Sequence, residues 1–243
     1  MEFPFTILEA SAACGIVILG SILQGSVGFG LGPFAVPLLV LIDPVFVPGP
    51  LLLSAFFLTG LMYHREQHAV RHREIAWALA GRLIGTTIGA AVLRFIPKDH
   101  LSLFFGCIVL VALVIFTSGV HIPVIPRNLL GAGTLSGFMG TTAAIGGAPL
   151  ALLYHRKEGP RLRGTLSGIF MIGVMFAIGS LVIIGRFGLR EIAASLVLIP
   201  GILIGFLVSK HTSRLLDRGF IRPTILIVSG ASSIVLIVRY FIP

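Results

Sequence analysis

The sequence predicts an all-α integral membrane protein with about seven or eight transmembrane segments. Of its 243 residues, 56% are hydrophobic and 11% are charged, and the mean hydropathy is +1.05, whereas soluble domains carry about 25% charged residues. Apolar segments separated by short charged connectors fill nearly the whole chain. We therefore expect one transmembrane domain over residues 1–243, with no separate soluble domain.

Two of the apolar segments are too long for a single crossing, because a spanning helix needs about 20 residues. They cover residues 5–42 and 128–154, and each contains a glycine-rich interruption. Each is predicted to be either a glycine-broken helix or a re-entrant hairpin. The other apolar segments cover residues 48–63, 75–93, 101–120, 164–184, 191–208 and 221–242.

The two long segments also open two similar halves of the chain. QGSVG at residues 24–28, followed by Pro37-Leu38, matches SGFMG at residues 136–140, followed by Pro149-Leu150, at an offset of 112. Two further matches follow in the same order. Ser54 and Gly60 pair with Ser167 and Gly173 at an offset of 113, and the tetrapeptide REIA at residues 73–76 recurs at residues 190–193 at an offset of 117. Chance matching in a glycine-rich sequence is the alternative, and the charged tetrapeptide argues against it. We expect internal repeats over about 5–120 and 128–242.

Charge distribution suggests how the halves are oriented, because cytoplasmic loops are enriched in Lys and Arg. If each long segment is a hairpin that returns to its own side, one face holds 12 Lys and Arg residues and the other holds 5. The basic face then has Arg65, Arg71, Arg73, Arg127, Arg156, Lys157, Arg161, Arg163, Lys210, Arg214, Arg218 and Arg222. Three crossings after each hairpin would invert the second repeat relative to the first, as in many secondary transporters. Single crossings would put basic loops on both faces, and the sequence leaves that choice open.

The composition argues against several other classes of protein. Cys14 and Cys107 both lie in apolar segments without the spacing of metal ligands, so we expect no disulfide, metal site or cofactor. The basic residues lie in connectors and do not form a patch with aromatic residues, so we expect no nucleic-acid partner. Ser26 does not lie in a Gly-x-Ser-x-Gly elbow and has no obvious membrane-embedded histidine as a base. We therefore expect that the protein is not an enzyme.

The two interruptions are the predicted substrate-binding site. Non-helical backbone in a membrane is tolerated only where protein buries it or where it lines a watery cavity, and the N-terminus of a half-helix attracts anions. Close helix packing through small residues is the alternative explanation. The candidate binding residues in and beside the interruptions are Gln24, Gly25, Ser26, Gly28, Gly30, Ser136, Gly137, Gly140, Thr141 and Thr142.

Arg82 is the one strong charge that lies clearly within a predicted crossing. An intramembrane charge is costly to bury and is a functional candidate for that reason. We expect Arg82 to pair with an anionic substrate. Two structural alternatives remain open at this point: the side chain reaches back to the basic face, or it pairs with Glu9.

These motifs resemble the sulfite exporter TauE/SafE family, also described as a toluenesulfonate uptake permease family. The resemblance covers essentially the whole chain. It rests on GSVGFGLG at residues 25–32 with Pro37-Leu38, on GFMG at 137–140 with GGAPL at 146–150, and on the spacing of Gly85 and Gly89. The chain departs from the commonest family pattern at residues 30–33, which replace a three-glycine run, and at residues 141–144, which are inserted in the second copy.

The resemblance implies a transporter of small sulfur-containing anions, such as sulfite, sulfoacetate or other organosulfonates, in the inner (plasma) membrane. We expect a secondary transporter that works by alternating access around the two opposed helix breaks, driven by a coupling proton or ion. An anion channel and an intramembrane or lipid-headgroup-handling protein are the alternatives. The expected partners are the anion and the lipid bilayer, and the sequence leaves open whether the chain acts as a homodimer.

Overall fold

The computed structural model describes residues 5–120, 122–154, 159–216 and 221–241. Within these residues the fold is all-helical, with α-helices and short 3-10 helices as its regular elements. The α-helices are α1 (Ile7–Val27), α2 (Leu31–Ile42), α3 (Gly49–Glu66), α4 (His72–Phe95), α5 (Leu101–Thr117), α6 (Pro126–Ala143), α7 (Gly147–Tyr154), α8 (Gly159–Ile183), α9 (Leu189–Leu216) and α10 (Ile221–Phe241).

Part of the predicted basic face lies outside the described residues. Arg156, Lys157 and Arg218 are not described, and neither are the side chains of Arg214 and Arg222. The orientation inferred from charge therefore stays a prediction.

Four of the helices are long and apolar enough to cross a membrane: α1, α4, α8 and residues Leu189–Thr212 of α9. Shorter apolar helices are α2, α5 and residues Leu226–Phe241 of α10. The all-α, membrane-spanning fold class is thus confirmed, while the full number of seven or eight crossings stays a prediction.

Local chemistry explains where α1 begins. Thr6 is its N-cap: the Thr6 hydroxyl accepts a hydrogen bond from the backbone N–H of Glu9 at 3.2 Å, and the Glu9 carboxylate accepts one from the backbone N–H of Thr6 at 2.7 Å. This reciprocal capping box satisfies two donors that the first helical turn leaves unpaired. Glu9 is therefore engaged at the helix end and is not an ion-pair partner of Arg82.

Two long helix pairs dominate the packing, α4 against α6 and α1 against α9. α3 packs on α8, and α5 packs on α10. The largest hydrophobic core includes the fully buried side chains of Leu39, Phe105 and Leu198, from α2, α5 and α9. The short helices α2 and α7 each follow a break in the chain, and these breaks position the candidate site.

Candidate functional site

The first break separates α1 from α2 at residues 28–30. α1 ends at Val27, and Gly28 adopts a left-handed conformation (φ 101°) while its N–H donates to the carbonyl oxygen of Gln24 at 2.7 Å. Gly30 also has a positive φ, of 132°, and α2 begins at the next residue. Positive φ at two of three successive positions favours glycine, because a Cβ atom disfavours this conformation.

The second break has the same form between α6 and α7. Ala144 is left-handed (φ 58°), and its N–H donates to the carbonyl oxygen of Gly140 at 2.9 Å. Gly28 and Ala144 lie 116 residues apart (144 − 28). Pro33 and Pro149, each the third residue of its short helix, lie 116 apart as well (149 − 33). By its position in the short helix, Pro149 therefore corresponds to Pro33. The sequence match at an offset of 112 instead pairs Pro149 with Pro37, which lies about one helical turn further along α2.

The two breaks are in direct contact with each other. A Cβ atom at Gly32 would overlap the carbonyl oxygen of Ala144 in the second break. A Cβ atom at Gly147 would lie 3.1 Å from the Cβ of Phe29 in the first break. The start of each short helix thus packs against the opposite break, and the backbone at Gly32 approaches too closely for any side chain.

A small cavity lies where the breaks meet α3, α4 and α8. Its volume is about 50 Å³, and a single water needs about 10–15 Å³ by this measure, so several waters or one small oxyanion would fit. The lining side chains are mostly apolar, and the polar ones are those of Gln24, Thr59 and Arg82. The lining residues are Gln24, Gly30, Leu31, Gly32, Pro33, Leu51, Leu52, Ala55, Thr59, Arg82, Gly140, Ala144, Gly146, Gly147, Phe170 and Val174.

Among the described residues, Arg82 is the only charged one in this lining, and it is 1% exposed. Nη1 donates to the hydroxyl of Ser136 at 2.7 Å, Nε has no hydrogen-bond partner, and the guanidinium carbon lies 5.5 Å from the ring centroid of Phe170. No carboxylate in the described part of the chain lies within ion-pair distance of it. A buried cation without a counter-ion is costly, so this site can be stabilised by an anion in the cavity.

Glycines make room for the Arg82 side chain. A Cβ atom at Gly173 of α8 would overlap Nε. A Cβ atom at Gly146 would lie 3.0 Å from Nη1, and one at Gly140 would lie 3.3 Å from Nη2. Three glycines from α6, α8 and the second break therefore set the position of the guanidinium group.

Ser136 connects Arg82 to the second break. Its hydroxyl accepts the hydrogen bond from Arg82 and donates its own proton to the carbonyl oxygen of Gly146 at 2.5 Å. Ser136 is fully buried, and its hydroxyl is engaged both as an acceptor and as a donor. It positions Arg82 and the break, and it is not one of the cavity-lining residues.

Gln24 lines the cavity from the first break. Its side-chain oxygen accepts a hydrogen bond from the backbone N–H of Leu31 at 3.2 Å, which caps the first turn of α2. Pro33 contributes no N–H to that turn. The first turn of α2 therefore offers fewer free N–H donors to an anion, and Arg82 is the stronger positive group beside the cavity.

Three of the candidate residues lie at a different place, near the C-terminal end of α1. The carbonyl oxygen of Gly25 accepts from Arg65 Nη2 at 2.6 Å, and that of Ser26 accepts from Arg163 Nη1 at 3.2 Å. A Cβ atom at Gly28 would lie 3.3 Å from the Cα of Arg163. We call Arg65, Arg163 and the residue that pairs with both, Glu66, the α1-end cluster.

The α1-end cluster is a partly buried network of ion pairs. One carboxylate oxygen of Glu66, Oε1, accepts from Arg65 Nε at 3.2 Å and from Arg163 Nε at 2.9 Å. The Ser26 hydroxyl does not join it and lies 3.0 Å from the Thr212 hydroxyl. The cluster ties α1 to α3 and α8, and its cations already have a carboxylate and helix carbonyls as partners.

The remaining candidates pack α6 against α4. The Thr141 hydroxyl donates to that of Thr86 at 3.1 Å, and the Thr142 hydroxyl donates to the carbonyl oxygen of Phe138 at 2.8 Å. A Cβ atom at Gly137 would overlap the carbonyl oxygen of Arg82. These contacts are those of close helix packing through small residues.

The structure thus brings Gln24, Gly30, Arg82 and Gly140 together in one lining, with Ser136 directly behind Arg82. Sequence reasoning missed the contribution of α3 and α8, including Thr59 and Phe170. In the sequence, Gly173 stands out only as part of a repeat match. Leu51, Leu52 and Val174 carry no signal of their own, since apolar residues that line a cavity and those that face lipid look alike in a sequence.

The chain matches a family of known proteins. The model of the family described as Sulfite exporter TauE/SafE matches residues 13–236, which is nearly the whole chain. No curated protein and no solved structure was found to match it.

Proposed function

Because the chain belongs to the sulfite exporter TauE/SafE family, whose members transport sulfite or related anions across membranes, we propose that it is a secondary transporter that binds a small oxyanion at Arg82. The substrate is sulfite or an organosulfonate. The protein acts in the inner (plasma) membrane and is driven by a proton or ion gradient.

The observation that carries the proposal is the state of Arg82. Its guanidinium group is buried, lies beside the cavity, and has a neutral hydroxyl as its hydrogen-bond partner and no carboxylate within ion-pair distance among the described side chains. Natural proteins compensate buried charges, because an unpaired one costs several kcal/mol (about 3–5). A transported anion supplies that compensation when it binds.

The packing of the helices supports two repeats within one transporter domain. Suppose that α1–α5 correspond in order to α6–α10. The contact between α1 and α9 then has its counterpart in the contact between α6 and α4, and the contact between α3 and α9 has its counterpart between α8 and α4. The contact between α2 and α10 likewise has its counterpart between α7 and α5. We propose that the repeats span about 5–120 and 128–242, that the second is inverted, and that each opens with a half-helix.

The contact between the breaks supports alternating access. The cavity lies where they meet, and on one side the α1-end cluster ties the end of α1 to α3 and α8. We propose that the anion binds between the repeats and that access changes as one repeat moves against the other, as inverted-repeat transporters do. Opening of the cavity on the side where α1 ends requires that the hydrogen bonds from Arg65 and Arg163 to the backbone of α1 break.

The candidate residues then have different roles. Gln24, Gly30 and Gly140 line the cavity with Arg82, and Ser136 positions Arg82. Gly25, Ser26 and Gly28 form the α1 end that the cluster holds, and the residues that pack α6 against α4 are Gly137, Thr141 and Thr142.

Transport of labelled sulfite and methanesulfonate in proteoliposomes tests this proposal, with Gly173→Ala and Gly179→Ala as a matched pair on α8. The first change places a methyl group against Nε of Arg82, whereas a Cβ atom at Gly179 meets nothing within 4 Å. We expect saturable transport in the wild type and in Gly179→Ala, and its loss in Gly173→Ala. Equal transport in both variants would contradict a site at Arg82, and a rate that does not saturate would favour a channel.

A further inference from the structure

The charge of the cavity lining limits the charge of the anion that it can hold. Resting on the proposed function, we propose that the transported species is a monoanion, namely hydrogensulfite or a singly charged sulfonate, and neither the sulfite dianion nor the doubly charged sulfoacetate. The juxtaposition of one buried guanidinium group with an otherwise uncharged lining carries this inference.

Arg82 contributes a single positive charge. No other lining residue in the described part of the chain is charged or titratable. The helices that pack on α4 are α6 and α8, and they face the guanidinium group with Ser136, Gly140, Phe170 and Gly173, none of which titrates. A monoanion therefore makes the occupied site neutral, while a dianion leaves one negative charge uncompensated.

The cavity has few side-chain hydrogen-bond donors with which to offset a second charge. Nη1 of Arg82 already donates to Ser136, and the N–H of Leu31 already donates to Gln24. The hydroxyl of Thr59 donates to the carbonyl oxygens of Ala55 and Phe56, at 2.9 and 3.1 Å. The side-chain donors left for an anion are the remaining N–H groups of Arg82 and the amide of Gln24, and of these only Arg82 carries a charge.

The rest of the lining is apolar. Leu51 and Leu52 come from α3, and Phe170 and Val174 come from α8. An uncompensated charge against such a surface loses hydration without replacement. An uncharged methyl group, as in methanesulfonate, gains from the same contact. The other cations close to the first break, Arg65 and Arg163, are paired with Glu66 and are absent from the lining.

Three probes separate charge from shape in equilibrium binding to the purified wild-type protein. Methanesulfonate is a monoanion across the pH range in which the protein is handled, sulfate is a dianion across it, and sulfite exchanges its second proton near neutrality. We expect methanesulfonate to bind equally well from mildly acidic to mildly alkaline pH. Sulfite should bind more weakly as the pH rises, and sulfate should bind at least about a hundredfold more weakly than methanesulfonate.

The outcomes distinguish this inference from the function on which it rests. Sulfate binding as tight as that of methanesulfonate, or sulfite binding that strengthens with pH, would overturn the monoanion rule. If that binding were lost in Arg82→Met, the anion site at Arg82 would still stand. Failure of all three probes to bind would overturn both the proposed function and the monoanion rule.

Discussion

Arg82 of α4 donates a buried hydrogen bond of 2.7 Å from Nη1 to the hydroxyl of Ser136 of α6. The same hydroxyl donates to the carbonyl oxygen of Gly146, just before α7 begins. A cation beside the cavity is thereby connected, through one side chain, to the backbone of the second break. Binding of an anion to Arg82 can therefore bear directly on the position of that break.

Replacing Arg82 with methionine should abolish anion binding without destabilising the fold. The guanidinium group is buried with Nε unpaired, and replacing buried ionic groups with apolar residues of similar volume is neutral or stabilising by about 1–4 kcal/mol. We expect an unchanged or higher Tm and the loss of sulfite transport. A marked fall in Tm would indicate that Arg82 serves mainly to hold the helices together.

Replacing Ser136 with alanine should weaken both the fold and the site. The change leaves Nη1 of Arg82 and the carbonyl oxygen of Gly146 without partners, at a cost of about 1–3 kcal/mol for each buried group. Ser195→Ala is the matched control, because Ser195 is buried and its hydroxyl donates within α9 to the carbonyl oxygen of Glu191. We expect a lower Tm and a raised KM for Ser136→Ala only, and equal values in the two variants would contradict the positioning role.

Replacing Gln24 with glutamate should separate capping from anion binding. A carboxylate oxygen can still accept the hydrogen bond from the N–H of Leu31, so α2 should keep its cap. The new negative charge shares the lining with Arg82 and should weaken anion binding by at least about tenfold. Gln24→Leu is the complementary variant: it loses the cap, and its Tm should fall by the equivalent of about 1 kcal/mol. Undiminished binding in Gln24→Glu would mean that the anion lies away from the part of the cavity lining that Gln24 forms.

Replacing Glu66 with glutamine should destabilise the α1-end cluster and leave binding at Arg82 unchanged. Glu66 is 8% exposed and pairs with both Arg65 and Arg163. The amide oxygen of the new side chain can still accept from the two arginines, but the negative charge that compensates them is lost, which we expect to cost about 1–3 kcal/mol. Thermal unfolding and methanesulfonate binding are measured on the same sample. Tighter binding in this variant would indicate that the freed arginines take the anion.

The sequence was informative about the breaks, because glycine and proline act locally. Gly28 and Gly30 have backbone conformations that favour glycine, and Pro33 and Pro149 follow at the starts of their helices. Arg82 could be identified for a similar reason, since a charge within an apolar segment stands out against its neighbours.

The composition of the cavity could not be predicted, because it depends on contacts between distant parts of the chain. Gly25 and Ser26 lie next to Gln24 in sequence, but helical geometry directs them to the α1-end cluster. Thr141 and Thr142 follow Gly140 and face α4 and their own helix. Phe170 and Gly173 meet Arg82 across the interface between α4 and α8, about 90 residues away along the chain.

The central claim, that Arg82 holds the anion, is tested most directly by locating the anion. Selenite has the shape and charge of sulfite, and its selenium atom gives an anomalous signal in a crystal of the purified protein. We predict one strong anomalous peak in the cavity within about 4 Å of the Arg82 guanidinium group, as expected for a hydrogen-bonded oxyanion, and no such peak in Arg82→Met. A peak at Arg65 and Arg163 with an empty cavity would contradict the account.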